Sequence, residues 1–166
     1  MNTERKQMIK EVRENEIPAC VKVIRESFQT VADAFGFTVD NAPGFTAFAT
    51  TEDRLRWQMF GEHRKMAAYY DDGVIVGYYS LLQDAKVCEL SNLCVLPAYR
   101  HRGIGEKLLY SAFQAAKEWG CEKCHIGIVE ENTVLRKWYE SFGFLHTGTK
   151  KFDHFPFTCG YLEKEL

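Results

Sequence analysis

A chain of 166 residues, 46% hydrophobic and 27% charged, falls in the ordinary range of one folded domain (1–166) with a substantial core. Its 21 Lys and Arg against 23 Asp and Glu leave a net charge of -2, which argues against generic binding to nucleic acid or anionic membrane. Residues 1–6 are charged and lead into no long apolar run, so neither a secretory signal nor a membrane span is expected and the cytoplasm is the expected compartment.

Residues 8–12 alternate well enough for a first strand. Ile17, Cys20, Val21, Ile24 and Phe28 follow at helical spacing, predicting a helix over 17–28. Residues 32–51 hold Gly36, Asp40, Asn41, Pro43 and Gly44 among four phenylalanines, a composition that fits either a lid or a helical turn packed on the core. Thr51-Glu52-Asp53 caps a short helix through Phe60. Strands then dominate: 66–70 and 74–82 form a hairpin about Asp71-Asp72-Gly73, and 86–96 form a third strand stopped by Pro97. Residues 103–119 are an amphipathic helix with Ile104, Leu108, Leu109, Ala112, Ala116 and Trp119 on one face, ended by Gly120. A strand at 125–129 leads to Asn132, an N-cap for a helix with Leu135, Trp138, Tyr139 and Phe142 on one stripe. Strands 144–152 and 157–162, separated by Pro156, complete the order β-α-α-β-β-β-α-β-α-β-β, an α/β fold around one mixed sheet.

Six cysteines (Cys20, Cys88, Cys94, Cys121, Cys124 and Cys159) are read as reduced thiols, mostly small core residues. Cys121 and Cys124 form a C-x-x-C, but no second Cys or His pair stands at zinc-finger spacing, so no metal is expected.

The chemistry concentrates at Arg100-His101-Arg102-Gly103-Ile104-Gly105, where a strand ends and a helix begins. Unpaired N–H groups and the helix dipole favour an anion there, and glycine removes the Cβ that would hold phosphate oxygens away. Arg100, His101, Arg102 and Lys107 add positive charge, so the expected ligand carries phosphate. The dinucleotide fingerprint lacks its third glycine after Gly105, and the P-loop pattern is absent. A structural cap with solvated charges fits the same residues, as does an unrelated nucleotide-binding turn.

Arg100-x-x-Gly103-x-Gly105, preceded by Leu93-Cys94-Val95-Leu96-Pro97, resembles the coenzyme A signature [QR]-x-x-G-x-[GA] of the GNAT superfamily of N-acetyltransferases. Asn132-Thr133-Val134-Leu135, Trp138-Tyr139 and Phe142-Gly143-Phe144 resemble that superfamily's later motif. The likeness implies a GNAT-like single domain with a mixed central sheet of about seven strands and helices on both faces. It implies acetyl-CoA as the acyl donor, its pyrophosphate held by the amides of Arg100, His101, Arg102, Gly103, Ile104 and Gly105, with Glu106 and Lys107 close by. Its pantetheine arm would lie along Leu93, Cys94 and Val95, in a slot left where this strand splays from the next. Asn132 would contact the cofactor while capping its helix.

The resemblance further implies direct attack of a neutral amine on the thioester. An alkylamine, with a pKa of about 10, must first lose a proton. Tyr139 matches the residue that protonates the departing thiolate in many members, although by spacing alone it reads as a core aromatic. Many members carry a carboxylate just before the cofactor strand's Leu-x-Val, where this chain has Ser91 and Asn92. The nearest carboxylate is Glu89, placed by strand alternation on one face with Ser91 and Leu93. It is the candidate base, acting directly or through water, with a water relay and no dedicated base as the alternative. Cys94 is a conceivable nucleophile, but no histidine is placed to activate it. The runner-up to an enzyme is a coenzyme A-binding regulatory or sensor module. Phe35, Phe37, Phe45, Phe155 and Phe157 are expected either to wall an acceptor site or to form a homodimer surface.

Overall fold

The structure, a computed structural model, describes residues 5–166, so residues 1–4 of the charged N-terminal stretch lie outside it. A seven-stranded mixed sheet runs through the molecule with helices on both faces, the architecture expected from the sequence. The strands are β1 (Gln7–Glu11), β2 (Lys65–Asp71), β3 (Val74–Asp84), β4 (Val87–Val95), β5 (Lys123–Val129), β6 (Leu145–Lys151) and β7 (Thr158–Glu165). In space they follow the order β1-β2-β3-β4-β5-β7-β6. Every neighbouring pair is antiparallel except β4 and β5.

One face is covered by α4 (Ile104–Glu118), whose Ile104, Leu108, Leu109, Ala112 and Ala116 pack with Tyr79, Leu81, Leu90 and Ile126. The other face takes α1 (Ile17–Phe35), which sets Ile17, Cys20, Val23 and Ile24 against Met66, Ala68, Tyr78 and Cys94. Two shorter helices, α2 (Thr46–Ala49) and α3 (Glu52–Phe60), flank α1, and α5 (Thr133–Glu140) follows β5. The Thr51 hydroxyl accepts from Arg54 N–H at 3.1 Å and Asn132 Oδ1 from Leu135 N–H at 3.2 Å, so both predicted caps form. Among the described residues no helix is long and apolar enough to cross a membrane.

Two differences from the sequence reading shape the site. First, α1 continues seven residues beyond Phe28 to a left-handed Gly36. Val31, Ala32 and Phe35 prolong the apolar stripe, and a further phenylalanine cluster of Phe37, Phe45 and Phe157 seals its end. Second, β4 carries a one-residue bulge. Tyr78 pairs with Cys94 but Ser80 with Ser91, and Asn92 takes a left-handed φ of 56°. The extra residue inverts the alternation beyond it, so Leu93 turns to the α4 side with Leu90 while Glu89 and Ser91 face the other way. The expected shared face of Glu89, Ser91 and Leu93 is therefore correct only for the first two.

Candidate active site

The parallel ladder between β4 and β5 is short. It joins Val87 to Lys123, Cys88 to Cys124 and Glu89 to His125, and stops. Past that point β5 stays paired with β7, whereas the bulged β4 bends away, leaving its edge from Leu90 to Val95 without a strand partner on that side. An unpaired strand edge is a row of amide donors and acceptors that an extended ligand can complete. A groove of about 460 Å³ follows this edge from the turn before α4 to Tyr139.

At the head of the groove the backbone makes an anion cradle. His101 (φ 63°) and Gly103 (φ 79°) are both left-handed, on either side of Arg102. Such alternation curls successive N–H groups into one concavity. Among the described residues the amides from His101 to Glu106 have no backbone acceptor, and the first helical bond runs from Lys107 N–H to Gly103 O at 3.1 Å. These donors stand at the positive end of a 15-residue helix.

Of the twelve residues expected at the cofactor, Leu93, Cys94, Val95, Arg100, His101, Gly103, Ile104, Gly105, Glu106 and Asn132 line this groove. Arg102 and Lys107 are exposed and outside the lining, and Arg102 stands over the Tyr99 ring at 5.2 Å. Arg100 departs from its expected part. Its Nε donates to Val95 O (3.0 Å), Nη1 to the Thr30 hydroxyl (3.0 Å) and Nη2 to Ser27 O (2.9 Å). The guanidinium thus ties the turn before α4 to the end of β4 and to α1, and its burial disfavours the charge. The sequence reading also missed Ser27, Phe28, Thr30 and Val31, which α1 contributes to the groove wall, and Trp138 of α5.

The two signature glycines have different reasons to be glycine. Gly103 holds a left-handed φ with open space around a notional Cβ, whereas a Cβ on Gly105 would sit 3.5 Å from the Trp138 ring, an ordinary contact. Gly103→Ala is therefore expected to strain the cradle by about 1 kcal/mol and to raise the acetyl-CoA Kd several-fold. Gly105→Ala should be the milder change, and titration calorimetry on both variants checks the order.

Tyr139 is 6% exposed and stands where the groove meets a second cavity of about 240 Å³; both cavities are lined by Asn132, Leu93, Leu135 and Tyr139. Burial, with smaller contributions from the Cys124 and Cys94 thiols, raises its pKa, so the phenol keeps its proton at neutral pH. Cys94 lies in the groove wall with its thiol pushed up to about 12, chiefly by burial, which makes it a poor nucleophile.

Glu89 lines neither cavity. It faces an adjoining recess with Ser91, Arg54 and Arg64, which meets the second cavity at Gly44, Thr46 and Asn92. Its carboxylate accepts from the Ser91 hydroxyl (2.9 Å) and from Arg64 Nη2 (3.4 Å), so the structure does not bring it into contact with Tyr139's surroundings. Of the five phenylalanines, Phe45, Phe155 and Phe157 line the second cavity; Phe37 packs behind Phe157 at 4.9 Å, and Phe35 lies outside. Cys121 and Cys124 join Cys88 in the principal core, and among the described residues no group of three His, Cys, Asp or Glu is placed to hold a metal ion.

The open strand edge thus runs from an amide cradle to a protonated phenol, and comparison with known proteins gives the family. The chain belongs to the acetyltransferase (GNAT) family, whose model matches residues 32–144. It is 30% identical over 138 residues to the uncharacterized N-acetyltransferase YjgM of Escherichia coli, covering 78% of this chain and 76% of that protein. An N-acetyltransferase of Mycobacterium tuberculosis is 34% identical over 82 residues, 49% of this chain, which spans about half (53%) of that relative's length. In fold the chain resembles the PaiA N-acetyltransferase of Thermoplasma acidophilum, solved in complex with coenzyme A. The TM-score is 0.82 at 19% identity, covering 97% of this chain and 99% of that one. At that identity the likeness establishes the shared fold.

Proposed function

We propose that this chain is one N-acetyltransferase domain, acting in the cytoplasm, that moves an acetyl group from acetyl-CoA to a primary amine by direct attack. The observation that carries this reading is the junction at Tyr139, where the open-edged groove and a second cavity share one phenol. The pyrophosphate is held by the amides between His101 and Glu106, and the pantetheine arm completes the free edge of β4. Asn132, with Oδ1 engaged as a helix cap, faces both cavities and helps hold the thioester between them.

The chemistry then follows from the groups at the junction. The lone pair of the neutral amine forms the new C–N bond at the thioester carbonyl. A backbone N–H on the β4 edge stabilises the oxyanion, as pre-aimed donors do in acyl transfer generally. As the C–S bond breaks, the thiolate takes the Tyr139 proton while the nitrogen gives one to water; that proton returns from solvent to the Tyr139 phenolate as the amide and free coenzyme A leave. Glu89 enters as a relay terminus: water crossing the opening at Thr46 and Asn92 connects its recess with the amine.

The relative named spermidine N(1)-acetyltransferase, from Thermoplasma acidophilum, is 31% identical over 75 residues and supports an amine acceptor in general. Thiol release over a panel of primary amines tests the reading. Turnover of at least one amine is expected; acetyl-CoA binding with no turnover would favour a sensor module instead. In the same assay Glu89→Gln should lower kcat/KM by about tenfold at pH 7, with the deficit shrinking at high pH, where the amine deprotonates unaided.

A further inference from the structure

The second cavity is lined mainly by apolar and aromatic side chains, with Thr46, Asn92, Asn132 and the Tyr139 and Tyr161 phenols as its polar groups. Phe28 and Val31 come from α1, Phe45 from the segment before α2, Phe155 and Phe157 from the β6–β7 connection, and Val129 from β5. Among the described residues no Asp, Glu, Lys, Arg or His lines it. Two segments meet at its rim. Phe155 and Phe157 stack with centroids 4.9 Å apart, Phe45 meets Phe157 edge-on at 5.9 Å, and a Cβ on Gly44 would come within 3.1 Å of the Phe155 ring. Lys151 Nζ donates to Phe152 O at 3.2 Å and also to Phe155 O, tying down the connection that carries both rings. Below, Gly127 gives β5 no side chain, and the Tyr161 ring lies 3.7 Å from where its Cβ would be.

Each charge on an acceptor has to be matched inside such walls or left in water. A second ammonium, as in a polyamine, or an α-carboxylate finds no counter-charge among the lining residues, since Glu89, Arg54 and Arg64 stand only in the adjoining recess; either is left unmatched in the cavity itself. A peptide's amides fare little better, and about 240 Å³ falls below the usual span of drug-sized pockets. Aromatic rings suit the space, because offset and edge-on contacts to Phe45, Phe155 and Phe157 are available. The same walls disfavour an ammonium over the free amine, so the chamber also selects the protonation state that can attack.

Resting on the N-acetyltransferase reading above, we propose that the acceptor is a small primary monoamine with an uncharged apolar body, preferentially aromatic. The Phe45–Phe155–Phe157 clamp and the bare Gly127 floor select it.

Matched amines that differ by one charge test this: 2-phenylethylamine against phenylalanine, and hexylamine against 1,6-diaminohexane. The monoamine of each pair is expected to show a kcat/KM about 100-fold higher, the penalty of one unmatched charge. Gly127→Val should cost 2-phenylethylamine at least about tenfold while leaving acetyl-CoA affinity within about threefold. Phe155→Glu, which plants a carboxylate at the roof, should narrow the gap between hexylamine and 1,6-diaminohexane. Wild-type preference for the diamine or the amino acid would overturn the substrate class while leaving acetyl transfer intact. Calorimetric titration of the same amines into coenzyme A-loaded protein separates the two readings. Selective binding of 2-phenylethylamine without turnover would remove the transferase and keep the chamber assignment; monoamines that neither bind nor react would remove the assignment itself.

Discussion

Tyr139→Phe is expected to lower kcat by on the order of 10²-fold while leaving the acetyl-CoA Kd within about twofold. The substitution removes one oxygen from a side chain already packed edge-on against Trp138 (5.0 Å) and Phe144 (5.4 Å), so the wall keeps its shape. The protein should melt at an unchanged temperature. Loss confined to kcat therefore separates a proton donor from a wall residue, and an unchanged kcat would return Tyr139 to the core. The pH profile adds a second reading. Burial holds the Tyr139 pKa above its ordinary value, so the acid form persists through the alkaline range. Activity should rise with pH as the amine deprotonates, with no falling limb below about pH 10.

Arg100→Ala is expected to destabilise the protein even without a ligand, by about 2 kcal/mol, or roughly 4–8 °C in Tm. Three donors are lost, and two carbonyls, Val95 O and Ser27 O, lose their bonds to it. The acetyl-CoA Kd should rise as well, because the turn that carries the cradle amides is no longer fastened to β4 and α1. A phosphate-binding arginine would behave otherwise: its removal would weaken the ligand and leave the ligand-free Tm unchanged. Thermal unfolding with and without acetyl-CoA distinguishes the two, and Thr30→Val, which removes only the Nη1 contact, should give a fraction of the effect.

Both expectations turn on the difference between a motif and the direction its side chains take. The spacing of Arg100, Gly103 and Gly105 marks the turn before α4, and the left-handed φ at Gly103 explains one of those glycines from local sterics alone. Nothing local predicts that Arg100 turns inward, because its three acceptors lie on β4 and on α1, as far as 73 residues away in sequence. Glu89 teaches the same lesson. Alternation along β4 is a sound rule until a bulge adds a residue, and Asn92, one of the residue types that tolerate a left-handed φ, was the only local sign of it.

Local sequence patterns set the order of the strands and of every helix but α2, the caps at Thr51 and Asn132, the free amides before α4 and the place of Tyr139 on the stripe of α5. These follow from periodicity, capping chemistry and glycine placement, which act over a few residues. Tertiary structure alone decided the parting of β4 from β5 beyond Glu89, the extra turns of α1 and the meeting of Phe45 with Phe155 and Phe157. Burial brings together segments more than a hundred residues apart, and the energy that holds them there comes from contacts no local pattern encodes.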